Sequence, residues 1–222
     1  MITVHHLENS RSQRILWLLE ELGLEYEIKL YKRDPKTMLA PKSLTKVHPL
    51  GKSPVIVDGD LTVAESGAIM DYLVDNYAEA GKLKPEEKSD LVKYRYWMHY
   101  AEGSLMPLLL MKLIFDQLSK PPMPLPIRPV AGLIAKGVKA KFVSPRIAQN
   151  IKFIEAELGK SRWFAGEKMS AADIQMSFPL EAAATRVPEM ENRKNIARFL
   201  KRVHALPAYK RALERGGPYA YA

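Results

Sequence analysis

The chain has no cysteine among its 222 residues. This absence excludes disulfide bonds, cysteine-rich zinc sites and a catalytic thiol supplied by the protein itself. Histidine is scarce too, and the five histidines show no metal-ligand spacing except for the neighbours His5 and His6. Adjacent residues on a strand point to opposite faces of a sheet, so this pair is a poor chelate. We therefore expect no metal site.

Long apolar runs are also missing. The most apolar stretch, residues 105–115, contains Lys112 and is too short to cross a bilayer. Residues 1–4 lead directly into a strand pattern without a basic segment, which predicts that no signal peptide is present. Together these features predict a soluble, cytoplasmic protein. Its hydrophobic content of 47% is ample for a packed core.

One long segment lacks acidic residues. Between Asp116 and Glu155 lie seven basic residues and no acidic one, so most of the net charge of +9 falls there. Residues 120–129 include five prolines, which argues against a regular helix, whereas residues 130–142 fit an amphipathic basic helix. Charged runs usually face solvent. The alternatives for residues 120–146 are a weak contact with an anionic membrane surface and a lid that attracts anionic conjugates.

The basic segment is not expected to bind nucleic acid. Aromatic side chains that interleave repeatedly with positive charges are typical of single-strand binding, whereas residues 120–146 contain a single aromatic residue, Phe142. The basic balance of the chain therefore does not by itself indicate a nucleic-acid partner.

Strand and helix patterns alternate over the first 77 residues. A strand–helix–strand unit of this size implies two parallel strands joined by a crossover helix. Two later apolar runs flank an Asp-Gly turn and predict a β-hairpin. We expect Ser66 to be the N-cap of the helix that follows. The predicted elements are β, α, β, a short helix, β, β and α, over residues 2–6, 14–23, 24–31, 41–44, 55–57, 61–64 and 66–77.

The remaining chain is predicted to be helical. Residues 78–87 have the composition of a linker, and a long helix is expected over 89–118 with a break near Gly103 and Pro107. Further on, Ser170 and Asp173 stand at the spacing of a capping box. This signal predicts that a helix begins at Ala171 and runs to Ala184.

The chain resembles the cytosolic glutathione S-transferases over nearly its whole length. The order of predicted elements matches, and several motifs occur in sequence at the right spacing. The similarity is greatest to a serine-type, theta-like subgroup of fungi and bacteria. The motifs are Ser-Arg-Ser-x-Arg at 10–14, Trp-Leu-Leu-Glu-Glu-Leu-Gly-Leu at 17–24, His-Pro-Leu-Gly-Lys-Ser-Pro at 48–54, Tyr-Ala-Glu-Gly-Ser-Leu at 100–105 and Asp-Ile-Gln-Met-Ser-Phe-Pro-Leu at 173–180.

This resemblance implies a fold of the α/β plus all-α class. A thioredoxin-like N-terminal domain with the order βαβαββα would occupy residues 1–78. An all-helical C-terminal domain that carries the electrophile site would occupy residues 88–222. The family also implies a homodimer in which the first domain of one subunit packs on the helical domain of the other.

The resemblance further implies a glutathione site around Pro54. This residue would be a cis-proline, so that the backbone of Ser53 pairs with the cysteinyl residue of glutathione. Glu65 would bind the ammonium group of the γ-glutamyl end, and Ser66 with its helix N-terminus would bind the α-carboxylate. Lys52 would offer charge to the glycyl carboxylate. No metal is implied.

Members of the family stabilise the glutathione thiolate with tyrosine, serine or cysteine near the end of the first strand. Cysteine is absent here and the first tyrosine is Tyr26, so the serine type remains. Ser10 is our candidate, with Ser12 and Asn9 as competitors. A hydroxyl that donates to sulfur at a helix N-terminus favours the thiolate, and Arg11 would add positive potential. The alternative is that Ser10 only caps the helix.

The implied activity is the addition of glutathione to hydrophobic electrophiles, or attack of its thiolate on a peroxide. We expect the second substrate to lie between the domains along one helix face, formed by Tyr96, Tyr100, Ser104 and Met111. The alternative function is a non-catalytic glutathione- or ligand-binding protein, or a membrane-associated carrier, with the same fold.

Overall fold

Four strands form one mixed sheet in the first third of the chain. The computed structural model describes residues 1–35 and 37–221. The strand order is β2-β1-β3-β4, with β1 parallel to β2 and the other two pairings antiparallel. The predicted crossover and hairpin are therefore confirmed. The strands are β1 Ile2–Leu7, β2 Tyr26–Tyr31, β3 Val55–Asp58 and β4 Leu61–Ala64.

Two α-helices accompany this sheet, α1 (Gln13–Leu22) and α2 (Ser66–Tyr77). Gly23 ends α1 with a left-handed backbone, φ 68°, which glycine adopts without a steric penalty. Residues 13–19 of α1 are all buried. The helix contacts the sheet on one side and helices of the second half of the chain on others, so its polar side chains are enclosed as well.

All regular structure after Tyr77 is helical in the described residues. A π-helical turn, Ala101–Leu105, lies where a break near Gly103 was predicted. The expectation that residues 120–129 contain no regular helix is wrong at its end, because α5 begins at Arg128 and a proline is tolerated in the first turn. The helices are α3 Lys88–Tyr100, α4 Met106–Gln117, α5 Arg128–Val138, α6 Ser144–Glu157, α7 Ala171–Ala184, α8 Lys194–Ala205 and α9 Pro207–Gly216.

Helix α7 is buried along nearly its whole length, and the capping box predicted at its start is present. One carboxylate oxygen of Asp173 accepts the Ser170 N–H at 2.8 Å, and the other accepts the Phe164 N–H at 2.8 Å. Burial raises the pKa of Asp173 to about 6, against the opposing effect of these hydrogen bonds. The box therefore fixes the loop before α7 as well as the helix start.

Two further searches of the described residues concern membranes and metals. No helix in 1–35 or 37–221 is long and apolar enough to cross a bilayer. Those same residues hold no group of three or more histidine, aspartate or glutamate side chains that could bind a metal ion.

The capping box gives a stability prediction. Replacing Asp173 with alanine leaves two buried N–H groups without an acceptor, so the free energy of unfolding should fall by about 2–5 kcal/mol. Asp173→Asn keeps one acceptor oxygen and should lose clearly less. Urea unfolding followed by circular dichroism measures both variants. Equal losses in the two variants would mean that the oxygen retained by asparagine contributes nothing, which would contradict its role as a hydrogen-bond acceptor.

Candidate active site

The ends of three strands meet at one edge of the sheet. His5 of β1 lies opposite Val55 of β3, and Val55 in turn lies opposite Ala64 of β4. Pro54 and Glu65, the residues next to this pair, are therefore neighbours across the ladder. The Ser53–Pro54 peptide bond is cis, as the family resemblance implies.

Ser53 is tied to the end of β1 through its side chain. Its hydroxyl donates to the carbonyl oxygen of His5 at 2.8 Å and accepts the N–H of Leu7 at 3.2 Å. Pro54 is buried, whereas Ser53 is half-buried. The backbone at Ser53 is thus held beside the loop that follows β1.

The start of α2 differs from the expectation that Ser66 is its N-cap. The helix begins at Ser66, and Glu65 takes the N-cap position with a φ of 73° and a ψ of 127°. A residue other than glycine in this backbone region is strained, and such residues cluster at binding sites. The N–H groups of the first turn have no partner inside the helix, so the start of α2 carries the partial positive charge that attracts anions.

Arg14 occupies the space between this helix start and the helical half of the chain. Its side chain is only 1% exposed. One guanidinium nitrogen donates to the Ser66 hydroxyl at 3.0 Å and to a Glu102 oxygen at 2.7 Å, and the other donates to the Gln175 carbonyl at 2.6 Å. One buried cation therefore joins α1, α2, α7 and the π-helical turn.

Glu102 supplies the opposite charge for Arg14. Burial alone would raise the pKa of Glu102, but Arg14 and Arg11 outweigh that effect and hold it below its usual value. Burial likewise lowers the pKa of Arg14, and Glu102 opposes the shift. Arg11 bonds to both Glu102 oxygens, at 3.0 and 3.2 Å. The three side chains form one charged cluster beneath the loop that contains Ser10.

Ser10 and Ser12 lie in this loop but face different surroundings. Ser10 lines a cavity of about 710 Å³ between the two halves of the chain, whereas Ser12 is fully buried beneath it. Their hydroxyl oxygens are 2.8 Å apart. Ser12 takes the N-cap position of α1 but makes no side-chain cap bond, whereas the Ser10 hydroxyl accepts the Ser12 N–H at 3.3 Å, so a capping role of Ser10 is compatible with the structure. Asn9 also lines the cavity, and its side-chain oxygen accepts the Ala220 N–H.

The cavity beside Ser10 is not lined by the helix face proposed from the sequence. Tyr96, Tyr100, Ser104 and Met111 lie elsewhere, and the Tyr100 hydroxyl donates to Asn150. The π-helical turn between Tyr100 and Met106 inserts a residue, so Met111 does not share one helix face with Tyr96. The wall is instead formed by apolar side chains of α4 and by residues that follow it or come from α7: Met106, Leu109, Leu110, Leu113, Pro121, Pro122 and Phe178.

Lys52 differs from the other predicted site residues. Its side chain is exposed, and within the described part of the chain it forms no hydrogen bond or ion pair. Its neighbour Ser53 is fixed to β1, so Lys52 extends from an anchored position with its charge free for a ligand.

Comparison with known proteins places this architecture in one class, that of two-domain proteins with a thioredoxin-like first domain and a helical second domain. Residues 1–75 match the family model "Glutathione S-transferase, N-terminal domain". Residues 127–207 match "Glutathione S-transferase, C-terminal domain". The chain belongs to the glutathione S-transferase family.

Three similar proteins illustrate the relationship. Glutathione S-transferase 3 of Schizosaccharomyces pombe is 41% identical over 97% of this chain and 88% of its own length. Glutathione S-transferase 1 of Saccharomyces cerevisiae is 35% identical, with 97% and 95% covered. The crystal structure of a glutathione S-transferase from Actinobacillus pleuropneumoniae has a TM-score of 0.81 and 33% identity, and covers 97% of this chain and 93% of that one.

Sequence reasoning missed two features of the site. The sequence predicted only that Arg14 lies at the start of a helix. Glu102 was part of the motif at residues 100–105, but no role was predicted for it. No periodic pattern pairs residues 88 positions apart, so the salt bridge had no local signal. The absence of an acidic residue near Arg14 on its own helix face was the available hint that a distant partner was needed.

The Arg14–Glu102 pair predicts a selective loss of stability. Glu102→Gln keeps an acceptor but removes the charge that compensates a buried cation, so the free energy of unfolding should fall by about 1–3 kcal/mol. Urea unfolding measures the change. Glu157→Gln is the control, because Glu157 pairs with the exposed Lys160 and should change stability by less than about 0.5 kcal/mol. Equal effects would contradict the assignment.

Proposed function

We propose that glutathione binds at the edge of the sheet between Ser53–Pro54 and Glu65–Ser66, and that Ser10 holds its thiolate. The protein is a glutathione transferase, and this assignment gives its reaction a specific site. The observation that carries it is the position of Ser10, which lines the cavity and is hydrogen-bonded to Ser12, while Ser12 and Ser53 both accept the N–H of Leu7.

Each end of glutathione has a partner of matching chemistry. The backbone at Ser53 pairs with the cysteinyl residue. The exposed Glu65 carboxylate binds the ammonium group, and the Ser66 hydroxyl with the N-terminus of α2 binds the α-carboxylate. Arg14 donates to Ser66, which leaves the hydroxyl proton of Ser66 available to that carboxylate. Lys52 interacts with the glycyl carboxylate.

The chemical task is to form and aim a thiolate. A free thiol has a pKa near 8.5 and is mostly protonated at neutral pH. A hydroxyl donor at sulfur and the positive end of α1 both favour ionisation. The thiolate then attacks an electrophilic carbon, or a peroxide oxygen, in a hydrophobic molecule held against the α4 side chains of the cavity. We infer a detoxification role from that substrate class.

Replacement of Ser10 tests this assignment. Ser10→Ala should lower kcat with a chloronitroaromatic substrate by about 10- to 100-fold, because a donor to the developing thiolate is lost. Binding to immobilised glutathione should persist. Ser104→Ala removes an exposed serine outside the cavity and should leave turnover unchanged. Full turnover in Ser10→Ala would contradict the proposal, as would a wild-type protein that binds glutathione but converts neither electrophiles nor peroxides.

We further propose a cytoplasmic homodimer, with domains at residues 1–78 and 88–222. Exposed apolar side chains on both domains support an interface between copies, among them Leu61 on β4 and Tyr96 on α3. Sedimentation equilibrium that gives the mass of one chain would contradict the dimer.

A second candidate function, a membrane-associated carrier, is favoured by the surface of α5. Large apolar side chains of α5 and of the short turn before it face outward: Leu125, Ile127, Val130, Leu133 and Ile134. Exposed lysines, Lys120, Lys136 and Lys141, lie in the same segment. An apolar face with flanking lysines matches an anionic lipid surface. Lys139 is different, because it forms an ion pair with Asp116.

Liposome sedimentation separates the carrier from a purely solvent-exposed helix. The wild type should bind vesicles that contain phosphatidylserine at low salt and should not bind neutral phosphatidylcholine vesicles. Reversing Lys136 and Lys141 to glutamate should abolish that binding, whereas reversing the exposed Lys210 on α9 should not. Absence of binding to anionic vesicles, or equal binding by both variants, would contradict lipid contact.

A further inference from the structure

A continuous chain of hydrogen bonds leads from the cavity to a buried histidine. The Ser10 hydroxyl lies 2.8 Å from that of Ser12, and Ser12 lies 2.8 Å from Nδ1 of His6. Nε2 of His6 lies 3.1 Å from the carbonyl oxygen of Gly216. All three side chains are at most 5% exposed. Of these groups, Ser10 is the one that lines the cavity.

The partners at the two ends fix the direction of every hydrogen in this chain. A carbonyl oxygen only accepts, so Nε2 of His6 carries a proton. Burial lowers the pKa of His6, so the ring is neutral and Nδ1 has a free lone pair. Ser12 therefore donates to Nδ1; the Leu7 carbonyl, at 3.3 Å, is a longer alternative acceptor. Ser10 then donates to Ser12, and its proton points away from the cavity.

Without a ligand, Ser10 thus presents an oxygen rather than a proton to the cavity. The same oxygen also accepts the backbone N–H of Ser12 at 3.3 Å. A neutral thiol that enters can donate its S–H to the remaining lone pair of Ser10. In this geometry the donor that a thiolate needs becomes available only after the whole chain of hydrogen bonds has reversed.

Two helix ends polarise the chain in the direction of such a reversal. The N-terminus of α1 lies at Ser12, and its partial positive charge favours a nearby anion. The Gly216 carbonyl belongs to the last residue of α9, where the partial negative charge favours a cation on His6. The carbonyl is held in place because α9 approaches α1 very closely. A Cβ atom at Gly216 would lie 2.6 Å from Oε1 of Gln13 and 2.8 Å from Cδ1 of Leu16.

The charged side chains of α1 and α9 near His6 form hydrogen bonds with other groups. Arg14 of α1 donates to Ser66, Gln175 and Glu102, and Arg215 of α9 donates to Glu20 and to the carbonyl of Tyr26. His5, on the opposite face of β1, bonds to the Tyr31 hydroxyl. Within the described residues, the His6 ring hydrogen-bonds to Ser12 and Gly216 and to no charged group.

We propose that His6 is the acceptor of the glutathione thiol proton, which reaches it through Ser10 and Ser12. The proposal rests on the role of Ser10 given above. The thiol proton passes to Ser10, the Ser10 proton to Ser12 and the Ser12 proton to Nδ1 of His6. A neutral thiol and a neutral imidazole become a thiolate and an imidazolium, so no proton is lost and none is taken from solvent. Burial lowers the pKa of His6 when no thiolate is present, and the negative charge of the new thiolate opposes that effect, so the ion pair keeps the proton.

The product state satisfies every donor. Nδ1–H of His6 donates to Ser12, Ser12 donates to Ser10, and Ser10 donates to the thiolate sulfur. The N–H groups of Leu7 and Ser12 keep their acceptors throughout. His6 touches neither substrate, so it is a positioning residue that acts through the two serines.

The decisive measurement compares the number of protons released to solvent with the number of thiolates formed. Ultraviolet difference absorbance gives the fraction of bound glutathione that is ionised at pH 7. Titration calorimetry in buffers of different ionisation enthalpy gives the protons released to solvent on binding. In the wild type we expect clearly fewer than one proton released per thiolate formed. One proton released per thiolate would overturn the proposal.

Two variants test the route. His6→Asn keeps an acceptor near the position of Nδ1 without a basic nitrogen, and Ser12→Ala breaks the chain while leaving His6. Both should release one proton per thiolate and lower kcat about tenfold, with the KM for glutathione within about threefold of the wild type. Circular dichroism checks that each variant folds. Proton release in either variant that matches the wild type would contradict the route.

Failure of this proposal is distinguishable from failure of the proposed function. If bound glutathione shows no thiolate absorbance in the wild type, or if Ser10→Ala retains it fully, the assignment of Ser10 is wrong. If the thiolate forms and depends on Ser10 but its proton appears in solvent, the role assigned to Ser10 is retained and His6 is not the proton acceptor.

Discussion

The buried guanidinium of Arg14 is the constraint on which the site depends. A cation that is 1% exposed requires compensation, and its partners come from three separate parts of the chain: Ser66, Glu102 and the Gln175 carbonyl. Satisfying the charge therefore brings the start of α2 and the helical half of the chain against α1. The cavity beside Ser10 lies between the parts that this side chain joins. Removal of its partner is expected to affect assembly of the site as well as stability.

The register of the sheet supplies the second constraint. Because Val55 faces both His5 and Ala64, the loops that precede β3 and follow β4 must meet at the end of β1. Both Ser12 and Ser53 accept the N–H of Leu7, so the backbone of the same strand anchors two loops at once. The three serines therefore have different roles. Ser53 anchors its loop, Ser12 lies buried between Ser10 and His6, and Ser10 is the one that reaches the cavity.

Local signals in the sequence predicted local structure well. The Asp-Gly hairpin, the glycine that ends α1 and the capping box of Asp173 all act within a few residues, so their outcome depends little on the rest of the fold. Two local predictions failed, because Glu65 rather than Ser66 is the N-cap of α2 and α5 begins inside the proline-rich segment. The other failures have different causes. The helix face of Tyr96 and Met111 was misplaced because a π-helical turn changes the register between them. The partners of Arg14 and His6 lie 88 and 210 positions away, where no periodicity reports a contact.

The reaction follows from these constraints taken together. In the proposed complex, an anchored loop and a strained helix start hold the two ends of glutathione, and the Ser10 hydroxyl meets the sulfur beside an apolar cavity. The most direct test of this account is a crystal structure of the protein with glutathione bound. The account predicts that the sulfur lies within hydrogen-bonding distance of the Ser10 hydroxyl, with the α-carboxylate at Ser66. A sulfur atom placed against Asn9 or Arg11 and out of reach of Ser10 would contradict it.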